Sequence, residues 1–242
     1  MAETQISAST DALMREFDII AHNLANVSTV GYKRMCNAFS KSLEAQGTGL
    51  QTYSPGSIDL TSAFDFSQGT IVETGRPLDF ALYGKGFFVI ETPAGPLYTR
   101  NGVFRTNQNG QIVDSAGRIV AGGAGPITIP VGVELSQLNV RSDGSISAGD
   151  TTIGKFRLVD FQDNESKLVP AGDNCYQMPE QDVTPVETEH IVVKNGYQEA
   201  SNVQMVEELV DMLMVSRLYE ANMKFVAAQK EATGSILSVA MG

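Results

Sequence analysis

The sequence predicts an α+β fold, with N- and C-terminal helices packing as a coiled-coil-like pair and a central all-β domain built as an irregular sandwich or barrel. Three observations predict it. Residues 6–30 repeat apolar side chains at heptad spacing. Residues 202–230 carry a Met-rich amphipathic stripe. The stretch between them is rich in glycine and in short alternating apolar runs broken by turn signals. Two apolar stripes at opposite ends of one chain need a surface to pack on. Each other, or the same ends of neighbouring copies, is the simplest answer, and it points to an assembly subunit rather than an enzyme.

In the first helix Ile6, Leu13, Ile20 and Val27 recur every seven residues, and Thr10, Phe17 and Leu24 form the companion row. Alternating spacings of four and three make a coiled-coil seam. Asp11, Arg15, Glu16 and Asp18 lie off it. The same pattern also suits an ordinary surface helix on a globular core. Asn26, Ser28 and Thr29 break the pattern, Gly31 offers a left-handed stop, and Tyr32 is placed to pack back on the helix end.

Residues 34–69 read as an extended connector punctuated by Gly47-Thr48-Gly49, Ser54-Pro55-Gly56 and Ser67-Gln68-Gly69. The β domain is read over 70–178. Leu78–Leu82 alternates, and Gly84-Lys85-Gly86 reads as a hairpin turn into Phe87–Ile90. Leu97–Thr99, Val103–Arg105 and Gln111–Val113 follow, the last two flanking the turn Asn107-Gln108-Asn109-Gly110. Further turns at 114–117 and 142–144 separate Ile127–Ile129, Leu138–Val140 and Phe156–Val159. Residues 179–199 form a return connector whose first part is acidic, and residues 1–33 with 200–242 form a terminal helical assembly domain.

In the last helix Ser201 or Asn202 is the expected N-cap, with Glu207 and Glu208 favouring the helix dipole. Met205, Leu209, Met212, Tyr219, Met223 and Val226 make one stripe, widened by Val206, Val210 and Leu213. A stripe this wide touches more than one neighbour, and four methionines make it adaptable. Gly234 is expected to weaken the helix end.

Composition narrows the function. The net charge of −11 argues against nucleic acid as a partner. No run approaches the roughly 20 apolar residues of a bilayer span, so no direct membrane insertion is expected. The start Met1-Ala2-Glu3-Thr4-Gln5 lacks a secretory signal pattern. Cys36 and Cys175 read as two free thiols, with a disulfide in an oxidising compartment as the alternative, and they sit in no metal-ligand spacing. With His22 and His190 as the only histidines, and no GxSxG, P-loop or HExxH, the expectation is no catalytic, metal or cofactor site.

The run Asn23-Leu24-Ala25-Asn26-Val27-Ser28-Thr29-Val30-Gly31-Tyr32-Lys33 resembles the N-terminal signature of bacterial flagellar rod and hook proteins. Ser201-Asn202-Val203, Glu207-Glu208-Leu209-Val210-Asp211-Met212 and Arg217-Leu218-Tyr219-Glu220-Ala221-Asn222 resemble the matching C-terminal signature. Leu78 to Phe88, with Tyr98-Thr99-Arg100-Asn101-Gly102, resembles their shared β domain. Within the family the proximal-rod subunit fits best, on the short chain and on Asp65-Phe66-Ser67-Gln68-Gly69, Thr74-Gly75-Arg76-Pro77-Leu78-Asp79 and Gly154–Val159. A distal-rod or hook-type subunit is the alternative, and a secreted β-rich binding module the more distant one. The resemblance implies a self-assembling structural subunit of the basal-body rod in the periplasm. It also implies export by the flagellar type III apparatus without a cleaved signal peptide. Its implied partners are other copies of itself, neighbouring rod proteins and that apparatus. The expected assembly interface is Ile6, Leu13, Phe17, Ile20 and Leu24 with Met205, Leu209, Met212, Leu213, Tyr219 and Met223. Asn23, Asn26, Gly31 and Tyr32 form the helix-end signature.

Overall fold

A computed structural model of the 242-residue chain describes residues 2–37, 62–179, 183–188 and 191–241, with helix side chains described over residues 9–25, 205–229 and 231. The turns expected at 47–49 and 54–56, His190 and the Ile6 side chain lie outside the described residues. The chain forms two compact units. A helical unit comprises Met1–Val27, Met35–Ala63 and Val203–Gly242, and a β unit comprises Ser28–Arg34 and Phe64–Asn202. Two α-helices are present among the described residues, α1 (Ala2–Ala25) and α2 (Met205–Met241).

Within the helical unit α1 and α2 touch, but not as a coiled coil, and this overturns the expected pairing. A coiled-coil seam buries its repeating knobs in holes of the facing helix. Here Phe17 is 41% exposed, and Met205, Leu209, Leu213 and Met223 are 50%, 46%, 62% and 44% exposed. The cross-links between the helices are polar. Asn222 Nδ2 donates to Ser9 Oγ at 2.9 Å and to Thr10 Oγ1 at 3.0 Å, and Asn23 Nδ2 donates to Glu208 Oε2 at 3.3 Å. The physical reason lies in α2. Its apolar residues include the consecutive pairs Met205-Val206, Leu209-Val210 and Leu213-Met214, which make a band two rows wide instead of one narrow seam.

The helix ends also differ from the reading. α1 stops at Ala25, where Asn26 N and Val27 N turn back to Asn23 O and Leu24 O. Gly31 has φ +68°, yet six residues beyond the helix, so it is not the helix stop. α2 begins at Met205, three residues after Asn202, and runs through Gly234 to Met241. Glu208 N bonds Gln204 O, so the expected capping residues lie outside the helix.

The β unit is antiparallel throughout its described ladders. Its main sheet has ten strands. The path runs Val169–Gly172, Cys175–Gln177, Leu97–Thr99, Phe87–Glu91, Ile119–Gly122, Ile112–Val113, Arg105–Thr106. Gly125–Pro126 pairs with Ile119–Gly122, and Leu158–Asp160 bridges Phe87–Glu91 to Val186–Glu187. Among the described residues the path is open at both ends and branches, so where the sequence predicts an irregular sandwich or barrel the structure has a branched sheet with smaller ladders around it. A three-stranded meander, Leu138–Val140, Ser145–Ala148 and Thr151–Lys155, stands beside it. Strands of two to five residues are too short to sustain one continuous layer.

Two local expectations change. Phe80–Tyr83 pairs with Val192–Asn195, not with Phe87–Glu91, so Gly84-Lys85-Gly86 is a crossing between ladders rather than a hairpin turn. Gly86 sits at φ +136°, and a Cβ there would fall 2.0 Å from Ile191 Cδ1. Residues 192–199, expected within a connector, supply two strands, the second pairing Tyr197–Glu199 with Ile71–Glu73. Ile127–Ile129 contributes only the bridge Gln111↔Thr128. The turn at 107–110 forms as read, with Gly110 N bonded to Asn107 O at 3.0 Å between paired strands.

The core of this unit is aromatic. Phe80, Phe88, Phe104 and Phe156 are buried, and Phe156 meets Phe80 and Phe88 edge-on at 4.9 and 5.4 Å between centroids. Gly102 lets the backbone approach this cluster. Phe80 N donates to Gly102 O at 2.9 Å, and a Cβ on Gly102 would lie 1.9 Å from Phe80 O. Gly102→Ala is therefore expected to destabilise the protein by about 3 kcal/mol in urea unfolding. Gly123→Ala, where nothing lies within 4 Å of the added Cβ, should stay within about 0.5 kcal/mol of wild type.

Candidate assembly surface and its anchoring strap

Residues 28–34, the second half of the signature run, leave the helix and join the β unit as a strap. Their backbone polar groups find partners there, as buried groups must. Gly31 N donates to Glu199 O at 2.6 Å, and Asn174 Nδ2 donates to Val30 O at 2.8 Å. Asp65 N donates to Arg34 O at 2.8 Å. A Cβ at Gly31 would fall 2.6 Å from Asn101 N, so both its positive φ and its close approach select glycine. Tyr32 is buried within the strap, and Asn202 N reaches its carbonyl at 3.4 Å.

Beneath the strap lies a cluster of three buried charges. Lys33 Nζ donates to Glu199 Oε1 and to Ser67 O, each at 2.6 Å, with both ionic side chains fully buried. Gly69 N adds a third bond to Glu199 Oε1, at 2.9 Å. Arg100 NH1 stands 3.5 Å from Glu199 Oε2, its NH2 donates to Gly84 O at 2.7 Å, and its guanidinium covers the Phe87 ring at 5.4 Å. Burial pulls the Lys33 ammonium below the usual lysine range, against the opposite pull of Glu199. A second buried group, Tyr176, packs edge-on against Phe64 and Phe66. Burial raises its phenol well above the ordinary value of 10.0.

The helical unit, described by itself, carries the candidate assembly surface. Leu13, Met14, Phe17, Asp18, Val215, Ser216 and Tyr219 line an apolar groove of about 240 Å³ between α1 and α2. Of the expected interface positions, Leu13, Phe17 and Tyr219 meet at this groove. Ile20 is buried and Leu24 half-buried, while Met212 is half-buried on α2. Met205, Leu209, Leu213 and Met223 face solvent. The helix-end signature divides between the units. Asn23 is buried and pairs reciprocally with Met35, Nδ2 to O and Oδ1 to N, each at 2.8 Å. Asn26 Nδ2 returns to His22 O at 2.9 Å, whereas Gly31 and Tyr32 belong to the strap.

Sequence reasoning missed Lys33, Arg100, Glu199 and Asn202 as a joint anchor. The only local signal was a lysine and a glycine sitting beyond the helix break, in a stretch with no nearby acid. Among the described residues no group of three or more His, Cys, Asp or Glu side chains is placed to hold a metal ion, and no helix is long and apolar enough to cross a membrane.

Comparison with known proteins places this geometry. Three family descriptions match: flagella basal body rod protein over residues 3–33, flagellar hook protein FlgE/F/G D1 domain over 81–148, and flagellar basal body rod FlgEFG protein C-terminal over 194–239. The flagellar basal-body rod protein FlgG of Buchnera aphidicola subsp. Acyrthosiphon pisum is 34% identical, covering 91% of this chain and 92% of that protein. FlgF of Caulobacter vibrioides is 34% identical over 92% and 91%, and FlgF of Salmonella typhimurium 31% identical over 96% and 94%. The chain belongs to the flagellar basal-body rod proteins and is a structural subunit of the rod.

Two predictions follow from the buried anchor. Glu199→Ala leaves two buried cations without their acid and should cost about 3–5 kcal/mol in urea unfolding, with Lys33→Met costing less because Arg100 still faces Glu199. Tyr176 has a folded pKa above its unfolded one, so its contribution is whole below pH 10 and is lost as pH rises through the folded value. Tyr176→Phe should accordingly lose less stability than wild type between pH 9 and 11, by about 1.4 kcal/mol at pH 11.

Proposed function

We propose that this rod subunit acts in the proximal part of the rod and self-assembles through the exposed apolar faces of α1 and α2. Its role is structural and non-enzymatic: carrying torque along a tube built from many copies. Leu13, Phe17 and Leu24 on α1, with Met205, Leu209, Met212, Leu213, Tyr219 and Met223 on α2, are the contacts proposed for neighbouring copies and neighbouring rod proteins; Ile20 belongs to the same α1 row but is buried within the subunit, and Ile6 completes that row in sequence. Head-to-tail contacts of this kind, repeated without closing, generate a helical tube. The flagellar export apparatus is the proposed route to that site.

The observation that carries the reading is the exposed face of α2. Nine large apolar residues of this one helix face solvent: Met205, Val206, Leu209, Val210, Leu213, Met214, Leu218, Met223 and Phe225. A soluble monomer rarely presents so much contiguous apolar surface. At about 1.5–3 kcal/mol per fully buried side chain, and with these nine about half exposed, covering them would yield on the order of 7–15 kcal/mol gross. That is comparable to the roughly 4–15 kcal/mol that association costs. The proximal placement rests on the motifs at 65–69, 74–79 and 154–159.

Electron tomography of basal bodies in a strain lacking this protein should show a truncated rod and no swimming, and a short stub marks the proximal position. An intact rod in a motile cell would refute the reading. Leu213→Asp, in a complemented strain, should reduce swim-plate diameter at least about threefold while leaving β-unit melting unchanged, since Leu213 is 62% exposed.

A further inference from the structure

The chain crosses between its two units four times, at residues 27/28, 34/35, 63/64 and 202/203. One side chain on the β-unit side gathers three of these crossings. Asn202 Oδ1 accepts Arg34 N at 2.7 Å. Its Nδ2 donates to Asp65 O at 2.8 Å, to Ser67 Oγ at 3.0 Å and to Ser67 O at 3.2 Å. Its own N–H reaches Tyr32 O at 3.4 Å. Arg34 is the last strap residue, Asp65 lies just inside the third crossing, and Asn202 is the last residue of the unit. Asp65 is held in turn by its own carboxylate, which accepts Ser67 N at 2.9 Å and Ser67 Oγ at 2.8 Å.

We propose that Asn202 is a positioning residue for assembly: its amide fixes the spacing at which the chain leaves the β unit toward the helical segments. This rests on the reading of the helical segments as the assembly surface. An amide suits the task because it offers an acceptor and two donors in one plane. Hydroxyl or carboxylate side chains supply only part of that set. The role differs from that of Glu199 and Lys33. Those are fully buried charges on which the unit's stability depends, whereas Asn202 is half-buried and bonds backbone groups of Arg34 and Asp65 beside the crossings, with Ser67 next to them.

The test uses the full-length chain in a strain lacking it. Wild-type complementation restoring swimming establishes the rod reading first, so failure at that step refutes the rod reading and not this one. Asn202→Ala is expected to keep the β unit folded, with its Tm within about 4 °C of wild type, since only half-buried hydrogen bonds are removed. Its swim-plate diameter should fall at least threefold with cellular protein level unchanged. Asn202→Asp retains the acceptor for Arg34 N but places oxygens against Asp65 O and Ser67 O, and should be as defective as the alanine variant. Asn202→Gln carries the same donors and acceptor, and should recover part of the swimming. Glu199→Ala, by contrast, should lower Tm by about 10 °C or more. Full swimming by Asn202→Ala would overturn the proposal. So would a Tm loss in Asn202→Ala as large as that of Glu199→Ala, because the residue would then act through stability alone.

Discussion

The pair of Lys33 with Glu199 is the constraint on which the β unit rests. The two residues are 166 positions apart and both are fully buried, so neither charge is tolerable without the other. Pairing alone does not satisfy them. Lys33 needs a second acceptor and finds Ser67 O, and Glu199 takes a further donor from Gly69 N. Those bonds bring residues 67–69 to the strap. Glu199 also offers its backbone carbonyl to Gly31 N, which aligns the strap along the strand Tyr197–Glu199. Gly69 then has to be glycine, because a Cβ there would stand 2.0 Å from Ala200 O. One buried acid thus sets the positions of three chain segments.

The two units divide the work between different forces. In the β unit, ring-on-ring packing of Phe80, Phe88, Phe104 and Phe156 buries apolar surface inside the subunit. In α2 only Glu208 and Val215 are buried among the described side chains, so its apolar surface stays available. With so few of its described side chains buried, α2 draws little stability from packing within the subunit. The assembly proposed above would supply further stabilisation. A subunit that completed its own apolar core would have nothing left to drive association.

The same division explains what was legible in the sequence. Both helices were readable from apolar recurrence, because that pattern depends on residues three and four apart. Local turns such as Asn107–Gly110 were readable for the same reason. The partner of Phe80–Tyr83 was not, since Val192–Asn195 lies more than a hundred residues away and short strands carry no register signal. The coiled-coil expectation failed because the heptad rows of α1 were read without asking whether α2 offered one matching face. Its paired apolar residues do not. Gly31 was assigned to a helix stop because glycine after a helix commonly serves there. In the structure its positive φ serves the strap instead. Of the candidate interface, the apolar positions were legible in the stripe of the helices, whereas Asn202 was read as a helix cap although its amide is committed to backbone groups of the β unit.

Asparagine recurs at four places where backbone groups lie outside a ladder. Asn23 closes on Met35, Asn174 on Val30, Asn195 on Pro77 at 2.7 Å, and Asn202 on Arg34 and Asp65. At such junctions backbone groups lose their strand or helix partners and must be satisfied by side chains. A charged group would satisfy only donors or only acceptors, and in a chain of net charge −11 another carboxylate would add to the repulsion between copies. The amide avoids both problems, and its bonds do not titrate. The geometry at the junctions is thereby insulated from pH and salt. In the assembly proposed above, the exposed apolar faces would carry the energy of association, so that positioning and adhesion would rest on different residues.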